Sequence, residues 1–400
     1  MPDEINNLEK QDKTAEKGVL KLCIILCLAV LAALLCKTAY AQYQIFDFQK
    51  RYKEAPAGNF IETGKLNLPR SSHSAVQLNN GSVLIIGGNK GAELFNPKTG
   101  QYKLINKTLP EFDGYSLNSV KLPDGRVLTA GYYIYDADKN IFYTVQNAEK
   151  FIPKDILRYD ASIPFIMPVV LSDSKVLLIP SWHDDSKTSY RAFVLNTNTN
   201  AYESLNINIE NHLKKFLSHG LSYFKKDNFI YFSNCKKDEI SIIKWDYIKN
   251  KSEEIKHFNV ASFYQTFILD ENTVLFNDKQ NLKMYDIKND KLSDISKSFG
   301  LIYSIFKSEE NNSYDIFAGT GNITDTNERY LRIVSFNPLS GIDYKYAPLP
   351  KAPDYYIQCF EFNDNLQSIT RLGNGEYLIS GGQLALPVHT RINFSRIVKL

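Results

Sequence analysis

Methionine and tryptophan are scarce in this 400-residue chain, at three and two copies. Cysteine is little used: of five, Cys23, Cys27 and Cys36 fall in one N-terminal apolar run. Only Cys235 and Cys359 remain for the rest, which excludes a disulfide framework and any zinc-finger spacing. They read as buried free thiols, with a single disulfide between them left open. An excess of one charge is also missing. Forty-seven Lys and Arg face 44 Asp and Glu, net +3, and the two signs are scattered. No dense basic face exists of the kind phosphate backbones require, so no nucleic-acid partner is expected. Zincin, P-loop and nucleophile-elbow motifs are all absent. The six histidines (His73, His183, His212, His219, His257, His389) do not cluster along the chain. No metal and no cofactor is expected, and His73, inside an expected strand, reads as structural.

What is abundant is the aromatic phenyl ring. Tyr (25) and Phe (24) are frequent and apolar residues make up 44%. Many aromatics with few Met suit strands rather than helices. The one exception is the segment 19–36, with an uninterrupted apolar stretch from Leu22 to Cys36. That stretch has the length of a signal-peptide core and is short of the ~20 residues of a full span. Lys13, Lys17 and Lys21 precede it and hold the N-terminus in the cytoplasm, so the C-terminal domain is exported. Ala39 and Ala41 place small residues for cleavage before Gln42, while the long polar leader and Lys37 favour a retained anchor. Both outcomes stand: a periplasmic or extracellular domain, secreted or membrane-anchored. Leu35 is too bulky for a lipobox before Cys36. The expected division is 1–41 signal peptide or anchor, 42–57 linker, and 58–400 folded domain.

Internal repeats dominate the remainder. Residues 71–88 read as an alternating strand, an Asn79-Asn80-Gly81 turn, and an apolar strand ending in Gly87-Gly88. Residues 367–382 repeat it, ending in Gly381-Gly382, and weaker copies fall at 116–132, 164–181, 221–234, 262–277 and 301–319. A second marker comes after each of the first six hairpins. It is an apolar or aromatic residue, then Asn or Asp, three residues, and a Gly, Asn or Asp. The starting positions are Asn96, Asp136, Asn196, Asp246, Asp286 and Asn337, spaced 40 to 60 residues apart. The first side chain can cap the turn and the closing residue tolerates positive φ. Four strands plus turns per unit fit this period, as in propeller blades.

The di-glycine after the second strand, the run Ala92-Glu93-Leu94-Phe95-Asn96-Pro97 and an aromatic after the turn resemble the kelch family. The resemblance spans about residues 59–400. It is strong at blade 1 and in the second strand of blade 7, while blades 2 to 6 lose the di-glycine. It implies an all-β, seven-bladed kelch-type β-propeller with four-stranded blades. The seventh repeat carries only three strands, the third at 393–400. The orphan strand at 58–66 is expected to supply its fourth and close the ring, removing an open edge.

In such a ring, loops joining strands two and three share one face with the blade-to-blade links. Ser181, Trp182, His183, Asp184 and Asp185 form the most suggestive of these loops. An exposed Trp beside His and Asp can stack on a sugar and hydrogen-bond its hydroxyls; the plain alternative is a polar loop with Trp packed between blades. Arg70 and Arg158 precede inner strands, and Arg329 and Arg391 lie near third strands. Converging arginines would clamp a carboxylate; singly, each reads as a solvated side chain. His389 and Tyr133 complete the candidates. The expected activity is a binding module for a protein or glycan, acting as a monomeric propeller with membrane contact only through its N-terminal segment. The kelch resemblance also admits a carbohydrate-active enzyme akin to sialic acid mutarotases, which need a small polar pocket and no metal. A structural envelope protein is the third reading, and whether any catalysis occurs stays open. Copper oxidases of kelch type need clustered histidine ligands, and the Asp-box repeats of sialidases are missing.

Overall fold

The computed structural model describes residues 19–40, 42–43, 60–71, 73–89, 91–105, 119–152, 165–181, 193–204, 222–236, 239–259, 265–278, 281–297, 299–308, 312–320, 331–345, 368–381, 383–384, 390–391, 393 and 395–400. Seven four-stranded antiparallel sheets form a β-propeller. Blades 1 to 6 take their strands consecutively from 74–105, 119–144, 165–204, 223–259, 265–297 and 299–345. Each of the seven hairpins expected from the repeats forms the first two strands of a blade.

The seventh blade is composite. Its strands Ser368–Gly373, Glu376–Ser380 and Ser395–Lys399 are completed by Phe60–Glu62 on the outside. The register pairs Phe60 with Val398 and Glu62 with Arg396. The ring is therefore closed by an N-terminal strand, and no blade is left one strand short. A small extra hairpin, Gln383–Leu384 with Thr390–Arg391, sits between the second and third strands of this blade.

Burial grades outward. The second strand of blade 1, Val83–Ile86, is buried at every position, whereas the fourth, Gln101–Ile105, is mostly exposed. Both faces of a blade pack on neighbouring blades, so middle strands read as continuous apolar runs without a polar side. Tyrosines bridge blades in a way that accounts for their abundance. A phenol can bury its ring and still satisfy its hydroxyl. Tyr377 donates to Asp315 Oδ2 at 2.5 Å (blade 7 to 6), Tyr223 to the Pro168 carbonyl at 2.5 Å (4 to 3), and Tyr314 to Asp270 Oδ2 at 2.9 Å (6 to 5). Tyr202 bonds the Gly131 carbonyl, and Tyr102 bonds Ser395 across the closure.

The third-to-fourth-strand turns bear out the second sequence marker. The Oδ1 atoms of Asn96, Asp136, Asn196, Asp246, Asp286 and Asn337 each accept a backbone N–H two or three residues on, at 2.9–3.1 Å. The residue four positions later has positive φ in all six: Gly100, Asn140, Asn200, Asn250, Asp290 and Gly341. That closing residue also joins blades. Gly64 N–H donates to the Gly100 carbonyl at 2.6 Å, and Gln146 N–H to that of Asn200 at 2.8 Å. In both cases, backbone just past one outer strand meets the turn of the next blade.

Outside the propeller, Val19–Tyr40 forms a 22-residue helix, none of it buried. The sequence alone suggested a shorter apolar element. At ~1.5 Å per residue the helix is about 33 Å long, enough to cross a hydrocarbon core of ~30 Å.

Candidate functional site

Alternate connections of an antiparallel blade emerge at opposite ends. One face of the ring carries the turns between strands one and two and between strands three and four; we term it the hairpin face. The other carries the two-to-three loops and the blade-to-blade links, and is the crossover face. Blades 1 and 7 meet on the crossover face.

There Arg70 runs into the first strand of its blade with its side chain fully buried. Its Nε donates to Glu93 Oε1 at 2.9 Å. One terminal nitrogen donates to the carbonyls of Gly87 (2.7 Å), Gly91 (3.1 Å) and Asn89 (3.3 Å). Glu93, also fully buried, accepts the backbone N–H groups of Asn67 (2.7 Å) and Leu68 (3.2 Å) and the Asn67 amide at 2.9 Å. The pair thus binds three segments together: the link entering blade 1, the loop after its second strand, and its third strand. A buried charge pair is costly to break from one side.

The glycines gain a physical reason here. Gly88 has φ +64 and lies so close to Ser71 that a Cβ would overlap the Ser71 carbonyl oxygen. Gly381, with φ +66, would drive a Cβ into the His73 ring and the Arg70 carbonyl. Arg70, Ser71 and His73 are gripped between Gly88 of blade 1 and Gly381 of blade 7, where those blades close the circle.

His73 lies one residue before the strand Ser74–Gln77, nine-tenths buried, with Nε2 2.9 Å from Ser380 Oγ of blade 7. Desolvation, reinforced by the nearby Arg70 cation, lowers its pKa from 6.5 to about 3. The imidazole is therefore neutral at physiological pH. A Ser–His contact of this length is the geometry of an activated nucleophile. Here, however, Ser380 is fully buried and the neighbouring charge is a cation, which opposes formation of an imidazolium. The arrangement closes a ring, in keeping with the structural role expected for this histidine.

Of the sequence candidates, Arg70 is held as described. Arg391 lies on the strand Thr390–Arg391 of the small extra hairpin in blade 7. Arg158, Trp182, His183, Asp184, Arg329 and His389 lie outside the described residues, as does Cys359. Tyr133 is buried in blade 2 with its ring 5.0 Å from that of Tyr132, and burial pushes its pKa up to about 12. The residues the sequence reading passed over are Glu93 and Ser380. A lone acid inside the otherwise apolar strand Ala92–Asn96 was the available signal for Glu93. Among the described residues, no three His, Cys, Asp or Glu side chains are grouped to hold a metal ion.

The fold defines the chain as a seven-bladed β-propeller. Two solved structures of one extracellular domain from B. thetaiotaomicron, BT4673, are similar to it. One is described as belonging to a one component system and the other to a hybrid two component system. Both superpose with a TM-score of 0.51, at 13% and 12% identity, over 86% of this chain. They cover 40% and 43% of the solved chains, so this chain spans about two fifths of their length. At that identity the likeness is one of fold. No family model matches the sequence, and neither does any curated protein. The propeller is thus established, and the kelch family is not.

Proposed function

We propose that this chain is an exported, membrane-tethered propeller that captures a protein or glycan at its crossover face. The observation that carries the reading is the helix Val19–Tyr40, long and apolar enough to span a bilayer and wholly unburied, in a chain whose remainder builds a closed ring. The solved neighbours, extracellular domains of one component and hybrid two component systems, support the same placement. A closed ring has no free sheet edges inside it, so its loops can vary without loss of the scaffold. The kelch-type assignment rests on the glycine turns of blades 1 and 7, where the close approach of Gly88 to Ser71 and of Gly381 to Arg70 and His73 gives those glycines a purpose.

Thermal unfolding of the full chain in mild detergent, against a panel of monosaccharides, acidic sugars, short glycans and peptides, tests the reading. A ligand at 100 times its dissociation constant adds about 2.7 kcal/mol if it binds only the folded form. A shift that survives loss of the helix by proteolysis, and vanishes on substituting Trp182 or Arg391, supports capture at the crossover face. A shift insensitive to both substitutions moves the site elsewhere. No shift with any member, together with no partner recovered by crosslinking in intact cells, would sink the binding-module reading.

A further inference from the structure

We infer that the hairpin face of the propeller docks on the surface of the bilayer that holds the helix, through Leu339 and Ile248 at the tips of two turns. The inference rests on the tethered reading above and adds to it an orientation and a lipid partner.

Among the described propeller residues these are the most exposed large aliphatics, at 94% for Leu339 and 66% for Ile248. Neither side chain is needed for its turn. Asn337 Oδ1 accepts Leu339 N–H at 2.9 Å, and Asp246 Oδ1 accepts Ile248 N–H at 3.1 Å, through backbone groups any residue supplies. The equivalent positions of blades 1, 2, 3 and 5 carry Lys98, Asp138, Asn198 and Lys288, all exposed. Folding therefore tolerates polar residues at this position, and two blades instead present bare hydrocarbon to water.

Connectivity puts the start of the closing strand on the same side. The closing strand begins at Phe60, opposite Val398, and Leu400 N–H donates to the Gly375 carbonyl in the hairpin turn of blade 7 at 2.9 Å. The chain thus enters the ring from the hairpin side. Residues 44–59 separate the helix from that entry point. Fully extended they reach no more than about 55 Å, so the propeller stays near the bilayer and each weak contact it makes there gains from tethering. Charge does not select the lipid headgroup: exposed Lys98, Lys249 and Lys288 share the hairpin face with exposed Asp124, Asp138, Asp173, Asp227 and Asp290. Bare aliphatic tips on a tethered domain match an interface where acyl chains begin beneath the headgroups.

The test uses full-length Leu339→Trp in vesicles of anionic phospholipid, with and without bromine on the acyl chains. The wild-type emission, from Trp182 and Trp245, is subtracted. Docking predicts an added emission that is blue-shifted and lost to acyl bromine, with a smaller loss when Ile248 is also changed to Lys. Added emission that stays water-like and unquenched while the protein floats with the vesicles overturns docking and leaves the tether standing. Blue-shifted but unquenched emission means that protein covers the site, which equally overturns a lipid partner. Failure to float with vesicles would remove the tether and this inference with it.

Discussion

The protonation of His73 makes a quantitative test of how the ring is closed. Its imidazole is buried between blades 1 and 7, against Ser380 and near Arg70. Burial, with the adjacent cation, holds its pKa at about 3, whereas the unfolded chain titrates at 6.5. Only the unfolded state binds this proton between those values. The folded pKa is depressed, so the stability it represents is fully present above pH 6.5 and is lost as pH falls toward 3. The slope is about 1.4 kcal/mol per pH unit within that window, and roughly 2 kcal/mol is gone by pH 5. Urea unfolding of the wild-type chain and of His73→Gln at pH 7.5 and pH 5.0 isolates the effect. Gln keeps a polar side chain toward Ser380 and cannot titrate, and contributions from the other histidines cancel in the difference. The variant is expected to start lower at pH 7.5 and to lose about 2 kcal/mol less on acidification. Equal losses in both proteins would refute the burial of a neutral imidazole at the closure.

The same junction carries two further expectations. Gly88→Ala should cost several kcal/mol, because it adds a clash with the Ser71 carbonyl to a strained φ, whereas Gly91→Ala, at φ +79 with open space around it, should cost about 1 kcal/mol. Comparing the two urea midpoints separates close approach from backbone conformation, and similar costs would show that Gly88 is not pressed against Ser71. Glu93→Gln should destabilise by about 3–5 kcal/mol by leaving the Arg70 cation buried without its carboxylate, and Arg70→Met combined with Glu93→Leu should cost less than the two single changes added together. A double variant as unstable as the sum of the single ones would show that the two side chains act independently.

The fold was legible because its unit is local. A hairpin and an Asx-capped turn are each written within about ten residues, and six copies of Asn96-type turns survive even where the blades have otherwise drifted. The closing strand could be inferred by counting, since a blade with three strands must find its fourth. What was not legible is what depends on distant partners. Arg70 looks like any surface arginine until Glu93 is brought beneath it, and Tyr377 looks like any core aromatic until its hydroxyl meets Asp315. The spacing of Gly88 and Gly381 gave no sign that one presses on Ser71 and the other on Arg70 and His73, because the second contact joins opposite ends of the ring-forming chain. For the candidate site, the type of loop could be read from the repeat, while the ligand chemistry resides in side chains whose convergence no repeat encodes.

The composite seventh blade also sets a timetable. Phe60 must pair with Val398, made about 340 residues later. At ~5–20 residues per second of synthesis, the closing strand waits roughly 20–70 s for its partner. Six blades can assemble during that interval while the first strand made stays unpaired beside the helix, and it is the last to be used. A factor that shields residues 60–62 during export, or a halt in translation before Ser395, would decide between a sealed ring and an open one with two complementary edges.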